Sequence, residues 1–182
     1  EKAFVLMIYA TGLRRGEALA QTKFTINLKK RELYVNGAVA FDKNTPYIKC
    51  TKNERKRPVP LPGYLVDYLD QYMRTVPGTY LFGKLNGEIM TKSSYDKMWK
   101  SITTKINLAA GGSEDLQVIF NLTAHVFRHN YCTNLCYQIP AISIKKIAAL
   151  MGDTEKMVIE VYNHIMEEKE NPANVVENAV AL

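Results

Sequence analysis

The apolar positions of this chain follow a helical period near both ends and a strand-like pattern between them. Residues 3–10 form an unbroken apolar run that ends at Thr11 and Gly12, which predicts a buried helix closed by a glycine. A second short helix is expected from Gly16. Over residues 25–60, short runs rich in β-branched and aromatic residues are separated by Asn-Gly and Asn-Thr-Pro turns, which predicts a small antiparallel sheet.

The helical period returns after Pro62. Its apolar positions predict helices that contain residues 65–72, 95–106, 123–137, 144–151 and 155–165. We expect the second of these helices to begin at a cap near Ser93 or Ser94. The third should end before Pro140 and the fourth at Gly152. This order of helix, small sheet and further helices predicts an α+β domain that is mostly helical.

Length, cysteine content and charge narrow the classes of protein to which the chain can belong. Its 182 residues, 47% of them apolar, are enough for one compact core, and the absence of a long apolar run predicts a cytoplasmic protein without a membrane span. Three cysteines, two of them four residues apart in a predicted helix, argue against a disulfide framework. The net charge of +6 suggests a polyanionic partner such as nucleic acid.

Two local motifs carry groups that can bind a phosphate. The segment TGLRRGEAL at residues 11–19 places Arg14 in a tight turn between two helices, with Glu17 three residues later. By itself it also fits a helix junction with a surface ion pair between these two residues. In the second motif, a spacing of three puts His125 and Arg128 on one helical face. A buried histidine with satisfied hydrogen bonds is the alternative there.

A third motif, Leu-Met-Gly at residues 150–152, is followed by Tyr162 ten residues after the glycine. Apolar residues flank Tyr162 at helical spacing, so that alone it fits an aromatic side chain at the edge of a core. A zinc site is a further alternative for the helix predicted at residues 123–137. Its possible zinc ligands are His125, His129, Cys132 and Cys136. Ligands strung along one helix cannot close a tetrahedron, which argues against a metal site.

In this order and at these separations, the three motifs resemble those of tyrosine recombinases of the phage and mobile-element integrase type, over nearly the whole chain. The resemblance implies a helical catalytic domain with a small antiparallel sheet, which cuts and rejoins DNA without metal, ATP or any other cofactor. It implies that Arg14 and Arg128 clamp the scissile phosphate and that His125 assists proton transfer or hydrogen-bonds the phosphate. Tyr162 would be the nucleophile of a covalent 3′-phosphotyrosyl intermediate.

The family also uses a lysine on a β-hairpin as general acid. Counting back from the Val-Pro-Leu segment at residues 59–61 selects Lys52, and Lys49 stays a second candidate. The alternative is that Lys52 is only one of several solvated basic residues in this segment. This basic run predicts contacts with the DNA backbone. The residues expected to make them are Lys43, Lys49, Arg55, Lys56 and Arg57.

One position of the catalytic set departs from the family. Where the family carries histidine, or sometimes tryptophan, after Leu-x-Gly, this chain has Asp153, whose ionised carboxylate would repel a phosphate. We expect Asp153 to turn away and cap the next helix, and His164 to supply part of the missing hydrogen bond. Two alternatives stay open: a DNA-binding module of this fold without activity, and a type IB topoisomerase.

The resemblance also implies partners and boundaries. The expected partners are a double-stranded DNA recombination site and further copies of the chain, monomeric when free and tetrameric when synapsed on DNA. The catalytic domain is expected over residues 1–166. Residues 167–182 form an acidic tail, which docks on a neighbouring subunit or frays. Since the chain opens directly in its first apolar helix, we expect the separate N-terminal DNA-clamping domain of the family to be absent from it.

Overall fold

The computed structural model describes residues 1–50 and 56–169 and divides into two compact units, residues 1–131 and residues 132–182. In the described parts the helices are α1 (Lys2–Thr11), α2 (Arg15–Leu19), α3 (Gly63–Thr75), α4 (Lys92–Ala109), α5 (Ala124–Cys136), α6 (Ile144–Met151) and α7 (Glu155–Lys169). The strands are β1 (Ile26–Asn27), β2 (Glu32–Val35), β3 (Gly37–Asp42), β4 (Thr45–Cys50) and β5 (Arg57–Pro60). The predicted fold class, α+β and mostly helical, is confirmed.

Helix α1 supplies much of the core of the first unit. Its apolar run buries Phe4, Met7 and Ile8 completely, and each such side chain contributes about 1.5–3 kcal/mol by leaving water. The helix ends at Gly12, whose backbone is left-handed at φ 61°. A Cβ at Gly12 would also lie 2.3 Å from Cδ1 of Tyr131. Both the backbone conformation and the close approach of that ring therefore require glycine.

The predicted antiparallel strands are present, but they form two sheets rather than one. The first sheet has the order β1-β2-β5, and the second pairs β3 with β4. The chain passes from one sheet to the other at Asn36, because Val35 pairs with Arg57 whereas Gly37 pairs with Cys50. Neighbouring positions of one apolar run thus face different partner strands, and periodicity alone does not show where such a run divides.

Helix α2 lies directly on β3 in the first unit. A Cβ at Gly16 would lie 2.5 Å from the carbonyl oxygen of Val39, so this glycine permits the close approach of helix and strand. The helix starts one residue earlier than predicted, at Arg15. Helix α4 also starts earlier, because Thr91 caps it by accepting a hydrogen bond from the backbone N–H of Ser94 at 3.3 Å.

The second unit is described from residue 132 to residue 169 and contains α6 and α7. Helix α6 begins after Ser143, whose side chain accepts from the N–H of Lys146 at 3.2 Å, and it ends at the predicted Gly152. Helix α7 continues four residues beyond its predicted end. The buried side chains that these helices supply are Ile147, Ala148, Met151, Val158 and Ile165. No helix in the described ranges is long and apolar enough to cross a membrane.

Candidate active site

A cavity of about 510 Å³ in the first unit is lined by residues of two of the three motifs. Arg14 lines it from the turn before α2, and His125 and Arg128 line it from α5. The other lining residues are Arg15, Gly16, Tyr95, Trp99, Thr123 and Ala124. A larger open groove of about 800 Å³ between β1 and α3 contains none of the predicted catalytic residues, and its acidic side chains do not suit a phosphate.

Arg128 is held at the wall of this cavity from inside the protein. It is 3% exposed, and its Nη1 donates to the carbonyl oxygen of Gly12 at 2.7 Å. That oxygen lies at the C-terminal end of α1, where helix carbonyls need partners and favour a cation. The bond joins the His-x-x-Arg motif to the glycine of the first motif, and it gives a physical reason for the presence of both.

Arg14 shares a buried carboxylate with a second arginine. Its Nη1 lies 3.2 Å from Oε1 of Glu17, and its backbone N–H donates to Oε2 at 2.9 Å. Glu17 is 4% exposed and also accepts two hydrogen bonds from Arg57, at 3.0 and 2.8 Å. The ion pair between Arg14 and Glu17, which the sequence offered as an alternative, is therefore present, but its acid is buried and is bound more closely by a residue of β5.

The electrostatics of this cluster favour an ionised Glu17. Burial raises the pKa of its carboxyl group, but the hydrogen bonds and charge of Arg57, with those of Arg14, outweigh burial and lower the pKa below its usual value. The side chain of Arg57 is 15% exposed, whereas that of Arg14 is 46% exposed. Arg57, predicted as a contact with the DNA backbone, thus directs its guanidinium to a bidentate bond inside the protein.

Two further predicted catalytic residues, Asp153 and Tyr162, lie in the second unit. His125 is exposed on the first turn of α5, and Tyr162 is half-buried on α7. Asp153 lies just before α7. Its Oδ1 accepts from the N–H of Thr154 at 3.1 Å, and the cap is Thr154, whose Oγ1 accepts from the N–H of Met157 at 3.4 Å. The approach of Tyr162 to the phosphate site stays a prediction.

The basic hairpin is described only in part. Lys52 and Arg55 lie outside the described residues, so the choice of general acid between Lys52 and Lys49 stays a prediction. Lys49 is exposed on β4, Lys43 is exposed at a left-handed backbone position between β3 and β4, and Lys56 is exposed before β5. These lysines are accessible for the predicted contacts with a polyanion.

The aromatic wall of the cavity was not predicted as part of the site. Tyr95 and Trp99 stack with ring centroids 6.1 Å apart, and Nε1 of Trp99 donates to the carbonyl oxygen of Leu122 at 3.1 Å, which anchors the segment before α5. The guanidinium of Arg15 lies 5.2 Å from the ring centre of Tyr95. Burial raises the pKa of Tyr95 to about 12 despite the opposing charge of Arg15, so this phenol stays protonated at neutral pH.

Comparison with known proteins gives matches along most of the chain. Residues 1–169 match the family described as the phage integrase family. Tyrosine recombinase XerD of Pseudomonas aeruginosa is 24% identical over 173 residues, which cover 91% of this chain and 49% of XerD. Tyrosine recombinase XerA of Pyrococcus furiosus is 25% identical over 186 residues, which cover 99% of this chain and 57% of XerA. The chain thus spans about half the length of these curated relatives.

Solved structures share the fold at low sequence identity. The Tn1549 transposon integrase in complex with a circular intermediate DNA superposes with a TM-score of 0.73 at 22% identity, over 88% of this chain and 53% of that one. The XerH site-specific recombinase bound to a palindromic difH substrate gives a TM-score of 0.62 at 20% identity, over 100% of this chain and 45% of that one. The architecture is therefore that of known DNA-bound integrases and recombinases.

Proposed function

Because this chain belongs to the phage integrase family, we propose that it carries the catalytic chemistry of a tyrosine recombinase, which breaks and rejoins DNA at a specific site. The proposed intermediate is a 3′-phosphotyrosyl bond to Tyr162. The observation that carries this proposal is the convergence of Arg14, His125 and Arg128 on one cavity of the first unit. Two guanidinium groups and an imidazole from distant parts of the chain form a site suited to a phosphate.

The arginines match the charge that develops during phosphodiester cleavage. Attack by the nucleophile increases the negative charge on the two non-bridging oxygens, and planar charged forks stabilise it better than lysines would. Arg128 is already fixed by the carbonyl of Gly12, and Arg14 is already fixed by Glu17. Since these side chains need little reordering when DNA binds, their charge is available to the transition state.

Tyr162 and a lysine complete the proposed reaction. A tyrosine hydroxyl ionises at about pH 10 in model peptides, so attack at neutral pH requires cationic neighbours or a base such as His125. The bond from Tyr162 Oη to phosphorus forms while the bond from phosphorus to the 5′-oxygen breaks. That oxygen takes a proton from Lys52 or Lys49. The phosphotyrosyl bond keeps the energy of the phosphodiester, so a 5′-hydroxyl reverses the step without ATP.

Double-stranded DNA is the proposed partner, with integration or excision of a phage or mobile element as the proposed process. The exposed Lys43 and Lys49 of the β3–β4 hairpin, together with Lys56, suit contacts with phosphates. The solved complexes of the Tn1549 integrase and XerH with DNA support this assignment. Self-association into a tetramer on DNA, and docking of the tail at residues 167–182 on a neighbouring subunit, belong to the same proposal.

A covalent trapping assay tests the proposal. A duplex is first selected from a random-sequence pool by its binding to Tyr162→Phe, and nicked versions of that duplex are then incubated with the unsubstituted chain. We expect an adduct that survives denaturation and is lost in Tyr162→Phe. Tyr64→Phe is the matched control, because Tyr64 is 52% exposed on α3 and does not line the cavity; its adduct should persist.

The other outcomes decide between the alternatives. Binding to the selected duplex without any adduct would favour a DNA-binding module that has lost activity. The aspartate at position 153 is the reason to consider this alternative. Relaxation of supercoiled DNA regardless of its sequence would favour a type IB topoisomerase. An adduct of equal yield in Tyr162→Phe would exclude Tyr162 as the nucleophile.

A further inference from the structure

We propose that Arg15 is an additional DNA contact of the cavity, which binds a backbone phosphate next to the scissile one. This inference rests on the proposed function, because it assumes that the cavity receives DNA. The residue was not among the predicted site residues. It follows Arg14 directly and begins α2, and its side chain lines the same cavity as Arg14, His125 and Arg128.

The guanidinium of Arg15 is held by two aromatic rings. Its Cζ lies 5.2 Å from the ring centre of Tyr95 on α4 and 5.7 Å from that of Phe41 on β3. Such cation–π contacts engage the faces of a guanidinium, while its N–H donors lie in the plane and at the edge. The rings therefore fix the position of Arg15 without using its hydrogen-bond donors.

Arg15 differs in this respect from the arginines around it. Arg14 and Arg57 bind Glu17, and Arg128 binds the carbonyl oxygen of Gly12. Over residues 1–50 and 56–169, by contrast, Arg15 makes no ion pair and no side-chain hydrogen bond. An exposed, pre-positioned cation with unused donors at the wall of a phosphate site is suited to a charged acceptor from outside the protein.

The geometry of DNA supplies such an acceptor. A strand carries a phosphate about every 3.4 Å along the helix axis, so a scissile phosphate between Arg14 and Arg128 arrives with neighbours on both sides. The contact with Phe41 also places Arg15 beside β3, which leads into the basic turn at Lys43. Arg15 therefore lines the proposed reaction centre and also contacts a strand of the hairpin expected to follow the DNA backbone.

A purely structural role makes a different prediction. If Arg15 only joins β3 to α4 through its two ring contacts, its loss loosens the cavity wall and weakens DNA binding without regard to any one phosphate. If Arg15 binds a phosphate, neutralising that phosphate and removing Arg15 abolish the same contact. Their effects on the free energy of DNA binding then do not add. A double-substitution comparison of protein and DNA separates these cases.

The test is a methylphosphonate scan of the duplex selected by Tyr162→Phe. Each phosphate near the cleavage position is replaced in turn by a neutral methylphosphonate, and dissociation constants are measured by fluorescence anisotropy in the Tyr162→Phe background. We expect Arg15→Gln to bind the unmodified duplex about tenfold more weakly. We also expect it to lose its response to substitution at one phosphate beside the scissile one, while keeping its response elsewhere.

Arg74→Gln is the matched control, since it removes the same charge from an α3 side chain that is 75% exposed and paired with Asp70. Its binding should respond to each methylphosphonate as that of the chain with Arg74 does. Arg15→Lys keeps the charge but not the planar fork, so it should show a weaker form of the Arg15→Gln profile, and it replaces that variant if Arg15→Gln does not fold. The inference would be overturned if the Arg15 variants bound every duplex of the scan more weakly by the same factor. It would also be overturned if their response to each methylphosphonate matched that of Arg74→Gln.

The two proposals fail in different ways in this experiment. The adduct of the unsubstituted chain is measured on the same duplex. If no Tyr162-dependent adduct forms, the proposed function fails and this inference falls with it. If the adduct forms and the Arg15 variants still respond to every methylphosphonate, the proposed function stands and the phosphate contact of Arg15 is refuted.

Discussion

Arg14 and Arg57 bind the same carboxylate, but their loss should have opposite consequences. Arg57→Ala removes two hydrogen bonds of 3.0 and 2.8 Å from Glu17, which is 4% exposed. Breaking a buried ion pair from one side costs about 3–5 kcal/mol, because a charge stays behind in a poorly solvated place. Arg14→Ala removes a bond of 3.2 Å to Glu17 from a side chain that is 46% exposed, and exposed ion pairs typically contribute about 0.2–1 kcal/mol.

Urea unfolding measures this difference directly. We expect the free energy of unfolding to fall by about 3–5 kcal/mol in Arg57→Ala and by no more than about 1 kcal/mol in Arg14→Ala. In the trapping assay, at a temperature where both variants are folded, the loss of adduct should be greater in Arg14→Ala than in Arg57→Ala. Arg14→Ala should form no adduct, since its guanidinium belongs to the proposed phosphate clamp, whereas Arg57→Ala should retain adduct in proportion to its folded fraction.

A double variant provides the control. Arg57→Met combined with Glu17→Gln removes both charges and keeps most of the side-chain volume, so it should be more stable than Arg57→Ala. If Arg57→Ala and Arg14→Ala lower the free energy of unfolding equally, the distinction between a structural and a functional arginine on Glu17 is wrong. The same holds if the double variant is no more stable than Arg57→Ala.

Glu17, Gly12 and Trp99 each provide a further test. The unsubstituted chain should have a larger free energy of unfolding than Glu17→Gln, and this difference should be fully present above the ordinary carboxyl pKa. It should disappear as pH falls through the lowered pKa of Glu17 in the folded chain. Urea unfolding measured from pH 7 to 3 would record the change. Gly12→Ala should lower the free energy of unfolding by about 1–3 kcal/mol from overpacking against Tyr131, in addition to backbone strain, and Tyr131→Ala should relieve only the steric part. Trp99→Phe should cost about 0.5–1.5 kcal/mol, because it removes the donor to the carbonyl oxygen of Leu122.

The helices could be predicted from the sequence because their signals are local. The apolar run of α1, the glycines that close α1 and α6, and the apolar faces of α3 and α4 all lie within a few turns of chain. The division of the strands into two sheets could not be predicted, since it depends on β2 pairing with the distant β5 rather than with the next strand, β3. Such a pairing joins residues far apart in the chain, which local periodicity does not encode.

The candidate site divides in the same way. The order of the motifs selected Arg14, His125 and Arg128, which the structure brings to one cavity. The basic run gave no sign that Arg57 differs from its neighbours, because only the fold turns its side chain inward to Glu17. Arg15 was missed for the same reason, since its aromatic partners come from a strand and a helix far along the chain.

Locating the nucleotide on the protein shows directly whether Tyr162 is the nucleophile. After trapping on a nicked duplex, the adduct is digested with nuclease and trypsin, and the peptide of residues 157–169 is analysed by mass spectrometry; its one tyrosine is Tyr162. We expect this peptide to carry a nucleotide joined to Tyr162 through its 3′-phosphate. A nucleotide on any other peptide, or a 5′-phosphate linkage, would contradict it.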